Sequence, residues 1–176
     1  MMIELVVSGG QTGADVGGLE AAYQCGIQTS GWAPPLYMTK DGPNEELLKG
    51  KYNLGEHGKK GYKPRTYGNV KMSQGTVRCA VDFYSPGEIC TLNAIKHYKQ
   101  THFDIYLLNP PSIDSCIIWL LNNGITILNV AGNTQKTRDI DIYGLTYTYL
   151  VKVFTRLKAI MKSEEYYKRF NLKEAT

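Results

Sequence analysis

The densest candidate chemistry lies in the run Ser8-Gly9-Gly10-Gln11-Thr12-Gly13-Ala14-Asp15. Glycines let a backbone approach a ligand closely and adopt positive φ. A helix opening at Ala14 adds N–H groups and a partial positive charge at its start, which suits phosphate. The spacing is neither GxGxxG nor GxxxxGK[ST], so simple dinucleotide binding and ATPase chemistry lose support. A structural turn whose helix is capped by Thr12 or Asp15 accounts for the same residues equally well.

Two other turns carry similar residues. Ser85-Pro86-Gly87-Glu88-Ile89-Cys90-Thr91 reads as a strand-to-helix turn. Ser85, Glu88 and Thr91 there serve either as helix caps or as a second phosphate- or sugar-binding edge. Asn129-Val130-Ala131-Gly132-Asn133 ends the cleanest strand, and its small residues permit close approach or form a plain turn. Trp32, in Gly31-Trp32-Ala33-Pro34, is either a stacking lid residue or a half-buried packing residue. Residues 49–65 hold six basic side chains against one acidic one, a local excess larger than the +4 of the whole chain. Such a run is most often a solvated face. The scattered His57, His97 and His102 build no triad, and Cys25, Cys79, Cys90 and Cys116 include no CxxC pair. No metal site made of side chains is expected, and reduced thiols suit a cytoplasmic protein.

These turns need elements to position them. Ile3–Val7 reads as a strand, Ala14–Cys25 as a helix, Arg65–Met72 as a short helix and Thr76–Phe83 as a strand. Helices are expected over Glu88–Tyr98, over Ile113–Asn122 and from Ile140 toward Met161. Strands are expected over Asp104–Leu108 and Ile125–Val130. Residues 31–64 lack periodicity and read as a long functional or mobile loop. Tyr143, Tyr147, Val151 and Phe154 share one helical face, directed at the core or at another subunit. Strands alternating with helices predict an α/β fold: one Rossmann-like, three-layer domain with a mostly parallel sheet and helices on both faces. Ligands bind beyond the carboxyl ends of such strands, where the three turns converge. With 176 residues the chain makes one domain, residues 1–162, followed by a polar tail, 163–176. No apolar run approaches the ~20 residues that span a bilayer, so no membrane is expected. Met1–Val7 lacks the basic flank of a leader. The charge is too mild to suggest nucleic acid.

The opening run, together with Gly31-Trp32-Ala33-Pro34, Lys40-Asp41-Gly42-Pro43, Arg65-Thr66 with Asn69-Val70, and Trp119-Leu120 with Leu128-Asn129-Val130-Ala131-Gly132, resembles the molybdenum cofactor carrier family. That family belongs to a Rossmann-like superfamily shared with lysine-decarboxylase-like phosphoribohydrolases and the DNA-processing protein DprA. The resemblance spans roughly residues 3–150. It implies a homo-oligomer that binds a small phosphate-bearing ligand, nucleotide-like or pterin-like, with the molybdenum cofactor or a nucleotide as candidates. By position it brings Gly9, Gly10, Gln11, Thr12, Gly13, Asp15, Arg65, Thr66, Asn69, Gly87, Thr91, Asn129 and Gly132 to the ligand. Glu88 and Trp32 join them on the reading of the residues. Where the family continues Pro-Arg-Glu-Ser after Val-Ala-Gly, this chain has Asn133-Thr134-Gln135-Lys136. Where the phosphoribohydrolases carry their catalytic Glu, this chain has Ala94. The reading therefore favours binding over catalysis. A nucleotide N-glycosidase using Glu88, a sensor or sponge for a signalling nucleotide, and a plain assembly protein remain as alternatives.

Overall fold

Short strands in which apolar residues alternate with polar ones build most of the sheet. In the computed structural model, which describes residues 2–39, 41–59, 61–135 and 137–169, five parallel strands form it. They are β1 (Leu5–Ser8), β2 (Gln28–Ser30), β7 (Gly75–Ala80), β8 (Thr101–Tyr106) and β9 (Ile127–Gly132). Their order is β2-β1-β9-β7-β8, so the last strand of the chain sits at the centre, between β1 and β7. Leu5 pairs with Ile127 and Val77 with Val130. Four short strands, β3 (Trp32–Ala33), β4 (Met38–Thr39), β5 (Gly42–Pro43) and β6 (Gly55–Glu56), lie outside it.

Period-2 alternation sends Val77, Cys79, Leu128 and Val130 to one face of the sheet. There they pack with α1 (Ala14–Gln24), α4 (Ile113–Asn122) and α5 (Ile142–Arg169). Phe154 and Leu150 of α5 are fully buried in that layer. The opposite face carries Thr76, Arg78 and Asn129, and α2 (Tyr62–Lys71) and α3 (Pro86–Tyr98) cover it. Helices on both faces of one parallel sheet make the domain Rossmann-like. The stripe expected over Tyr143–Phe154 divides: Phe154 enters the core, Tyr147 and Val151 flank it, and Tyr143 stays partly exposed.

Two expectations change. Residues 31–64 are not a loose loop. Leu48, Tyr52 and Leu54 from this stretch form a second core with Val16, Leu19, Ala33 and Tyr37. The chain crosses between two parallel pairs there, Trp32 with Gly55 and Ala33 with Glu56. Short strands and a non-periodic run hide such a core from pattern reading. The boundary at residue 163 falls within α5, which continues to Arg169. β2 was not expected either, because three polar residues between a helix stop and a glycine carry no apolar alternation.

Candidate functional site

A cavity of about 380 Å³ opens beyond the carboxyl ends of β1 and β9, on the face covered by α2 and α3. The chain leaves β1 toward α1 on one face and leaves β7 toward α3 on the other. This divergence opens a crevice at the strand ends. Gly9, Gln11, Asp15, Arg65, Thr66, Asn69, Gly87, Thr91, Asn129 and Gly132 all line it. Tyr62, Pro86, Cys90, Val130, Ala131 and Thr134 line it too. Cys90, Val130 and Ala131 stand inside the motifs that flagged their neighbours. Tyr62 had no signal, because only the start of α2 brings it there.

Arg65 organises the cavity floor. It is 6% exposed, and its Nη1 donates to the Gly9 carbonyl at 2.6 Å. Its Nε has no partner. The Tyr62 ring lies over the guanidinium, 5.4 Å from centroid to Cζ. Asp15 is buried beside it and accepts the Gln11 backbone N–H at 3.2 Å. Burial pushes the Asp15 carboxyl up, against the pull of Arg65. Burial likewise draws Arg65 down, against the pull of Asp15. The two charges thus offset each other within a poorly solvated floor.

Asn129 stands at the centre of the sheet, 2% exposed. Its Nδ2 donates to Thr76 Oγ1 at 3.2 Å, while its Oδ1 is buried without a partner. The Thr66 and Thr91 hydroxyls donate to backbone carbonyls one helical turn back, on Tyr62 and Gly87. Asn69 does a different job. Its Oδ1 accepts the Trp32 N–H at 2.7 Å, and its Nδ2 donates to the Trp32 carbonyl at 3.3 Å. It ties the chain entering the second core to α2.

Five expected residues lie off the cavity wall. The Gly10 backbone, at φ +72°, faces Leu48 and Leu54 of the second core. Thr12 and Gly13 pair with residues 133–135: the Thr12 carbonyl accepts from Gln135, and Gly13 bridges Thr134. Trp32 packs edge-on to His57 at 5.6 Å, closely beside Gly55 and Gly68. Glu88 is 1% exposed and turns toward the sheet. There Arg78 Nη1 stands 3.9 Å from its Oε2, and neither atom makes a hydrogen bond. Arg78 spends its Nε and Nη2 on Asp104, with the Nε bond at 2.8 Å. Burial outweighs the nearby Arg78 and pushes the Glu88 carboxyl up to about 8.

The helix ends also differ from expectation. At α1 the Ala14 N–H already donates to Asn133 and the Val16 N–H to Gln11. At α3, Ser85 makes no side-chain cap bond, Pro86 occupies the first turn, and Pro86 and Gly87 both face the cavity. α3 starts at the cavity without a side-chain cap, and so does α2, whose first residue Tyr62 lines the wall. Asn133, at the departure from the Pro-Arg-Glu-Ser pattern, is a clip. Its Oδ1 accepts the Val81 and Asp82 N–H groups, both at 2.8 Å, and its Nδ2 donates to the Asp82 carbonyl at 3.0 Å. It fixes the segment that leads from β7 into α3. Ala94, where the phosphoribohydrolases have Glu, packs against Val70 and Ile95 between α2 and α3, away from the cavity.

With this geometry in place, the comparisons decide the family. Residues 6–154 match the circularly permutated YpsA SLOG family. The chain belongs to that family. A crystal structure from Syntrophus aciditrophicus SB, named "Putative molybdenum carrier protein", superposes with a TM-score of 0.75 at 31% identity, covering 86% of this chain and 94% of that one. None of the curated proteins compared matches the chain.

Proposed function

We propose that this chain binds a small phosphate-bearing molecule, nucleotide-like or pterin-like, in the cavity between α2, α3 and the ends of β1 and β9, without strong catalysis. One observation carries the reading. A buried arginine with an unpartnered Nε shares the cavity with an uncapped helix start. A guanidinium and a helix N-terminus are complementary to phosphate. Arg65 and the start of α3 hold the phosphate in this proposal. Asn129 Oδ1 and Asp15 take the hydroxyl or ring N–H groups. The molybdenum cofactor falls within this ligand class, and the name of the Syntrophus relative supports including it. No group of three or more His, Cys, Asp and Glu among the described residues could hold a metal ion.

The test is a thermal-shift and calorimetric panel of nucleoside monophosphates, NAD and its breakdown products, cyclic nucleotides and phosphorylated pterins. A ligand at a hundredfold its dissociation constant raises stability by ~2.7 kcal/mol, several degrees for a domain of this size. Arg65→Ala is expected to weaken the best ligand at least tenfold. Absence of any shift, or unchanged affinity in a folded Arg65→Ala protein, overturns the proposal. Tight binding of a cyclic nucleotide without turnover would move it to the sensor reading.

A second reading rests on Asp15, a carboxyl on the cavity wall whose burial holds it above its ordinary value. Such a group could serve an N-glycosidase as acid. Glu88, the carboxylate first considered for that part, faces Arg78 instead. Release of free base from a nucleoside monophosphate, abolished in Asp15→Asn, would establish the enzyme.

A further inference from the structure

We propose that Cys90 is the exchange-reactive thiol of this chain, and that a small anionic disulfide forms a mixed disulfide with it inside the cavity. All four cysteines are free. Cys79 and Cys116 are buried in the sheet core, which leaves Cys25 and Cys90 half-buried. Cys25 ends α1, its sulfur 3.8 Å from Thr155 Oγ1, and it is not on the cavity wall. Cys90 is on that wall, one turn into α3.

The wall around Cys90 has the character of a binding chamber. Arg65, 6% exposed, and Asn129, 2% exposed, both line it, and each carries a buried polar atom without a partner. Arg65 and Cys90 line the same cavity. The Arg65 guanidinium and the uncapped start of α3 draw an anionic reagent to the thiol, against the Asp15 carboxyl on the same wall. A volume of about 380 Å³ admits one half of a small disulfide as an adduct.

The exchange is balanced. The Cys90 sulfur attacks one sulfur of the disulfide and gives up its proton. The old S–S bond breaks as the new one forms. The electron pair leaves with the departing sulfur, which takes up a proton and becomes a free thiol. Oxidised glutathione, a disulfide with several carboxylates, belongs to this reagent class. Its adduct would fill the chamber and exclude any other ligand until excess thiol reversed it. This proposal stands whether or not the phosphate reading does, because its readout is the labelled peptide.

The experiment treats the native chain with equimolar 5,5′-dithiobis(2-nitrobenzoate) or oxidised glutathione, and follows each cysteine by peptide mass mapping over time. Cys90 is expected to react at least tenfold faster than Cys25, with Cys79 and Cys116 silent. A neutral disulfide, 2-hydroxyethyl disulfide, is expected to show a smaller preference for Cys90. Cys90→Ser should lose the fast phase, and after unfolding in urea the four wild-type cysteines should react at similar rates. Equal rates at Cys25 and Cys90 in the folded wild-type chain, or fast labelling of Cys25, overturn the proposal. So does an equal Cys90 preference with the neutral reagent, which would remove the part given to Arg65.

Discussion

Burial beneath α3 pushes the Glu88 carboxyl toward its neutral form, against the pull of Arg78. Glu88 begins α3, yet its side chain turns into the sheet beside Arg78, which Asp104 already engages through two hydrogen bonds. The folded-state value, pushed to about 8, lies above the ordinary 4.5. The folded chain therefore holds a proton at Glu88 that the unfolded chain releases between those values. Stability from this group is complete at low pH and falls as pH rises toward 8, by at most ~1.4 kcal/mol per pH unit. Glu88→Gln should flatten that slope in denaturant melts taken between pH 5 and pH 9. An unchanged slope would show that Glu88 does not carry it. Asn133 makes a second claim at this scale. It satisfies two backbone N–H groups and a carbonyl in the segment before α3. Each such bond contributes ~0.5–1.5 kcal/mol. Asn133→Ala should cost ~2–3 kcal/mol in a urea melt.

Elements meet the site through close packing. Gly132 ends β9 where a Cβ would stand 2.0 Å from the Cys79 carbonyl oxygen and 2.6 Å from Ala14 Cβ. Neither neighbour can yield, since one is backbone and the other holds the start of α1. Gly132→Ala is expected to lower the melting temperature markedly and to open the cavity wall, checked by calorimetry of the purified variant. The second core is testable in the same way. Leu48 is fully buried among Leu19, Tyr52 and Leu54. Leu48→Ala should cost ~2–5 kcal/mol, the range for a cavity in a packed core. A cost near zero would return residues 31–64 to the reading of a functional or mobile loop. Gly10 belongs with this element too. Because it faces Leu48 and Leu54 at positive φ, a bulky substitution there reports on the core and not on a ligand.

Among the described residues, no helix is long and apolar enough to cross a membrane. Five large apolar side chains, Tyr106, Leu108, Ile118, Tyr143 and Leu145, stand 37–56% exposed on β8, the segment after it, α4 and α5. We propose that apolar side chains of this kind take part in self-association of the chain. Light scattering across a concentration series is expected to give a mass above one chain. Ile118→Glu should lower it if α4 takes part.

The residues of the site were more legible than their roles. Glycine-rich strand ends and the alternation of strand and helix need only local pattern. They told that the turns after β1 and β9 and before α3 meet at one edge of a parallel sheet. The resemblance added Arg65 and Asn69, which no local pattern singles out. What each side chain does depends on direction, and direction is set by packing over long sequence separations. Glu88 and Gly87 are neighbours in the chain, yet one turns to the sheet and the other to the cavity, because α3 lies on β7 and β9. Trp32 is fixed by Asn69, 37 residues away. The second core arises from residues with no periodicity between them. By itself the sequence determined the fold class, since strand and helix alternation follows from backbone propensity and apolar spacing, and together with the resemblance it named ten of the residues that line the cavity. Only the tertiary structure decided that α3, and not α1, offers its uncapped start to the cavity, that residues between 31 and 64 build a second core, and that Arg65 and Asn129 each keep a buried atom without a partner, because burial and hydrogen-bond satisfaction exist only once distant segments meet.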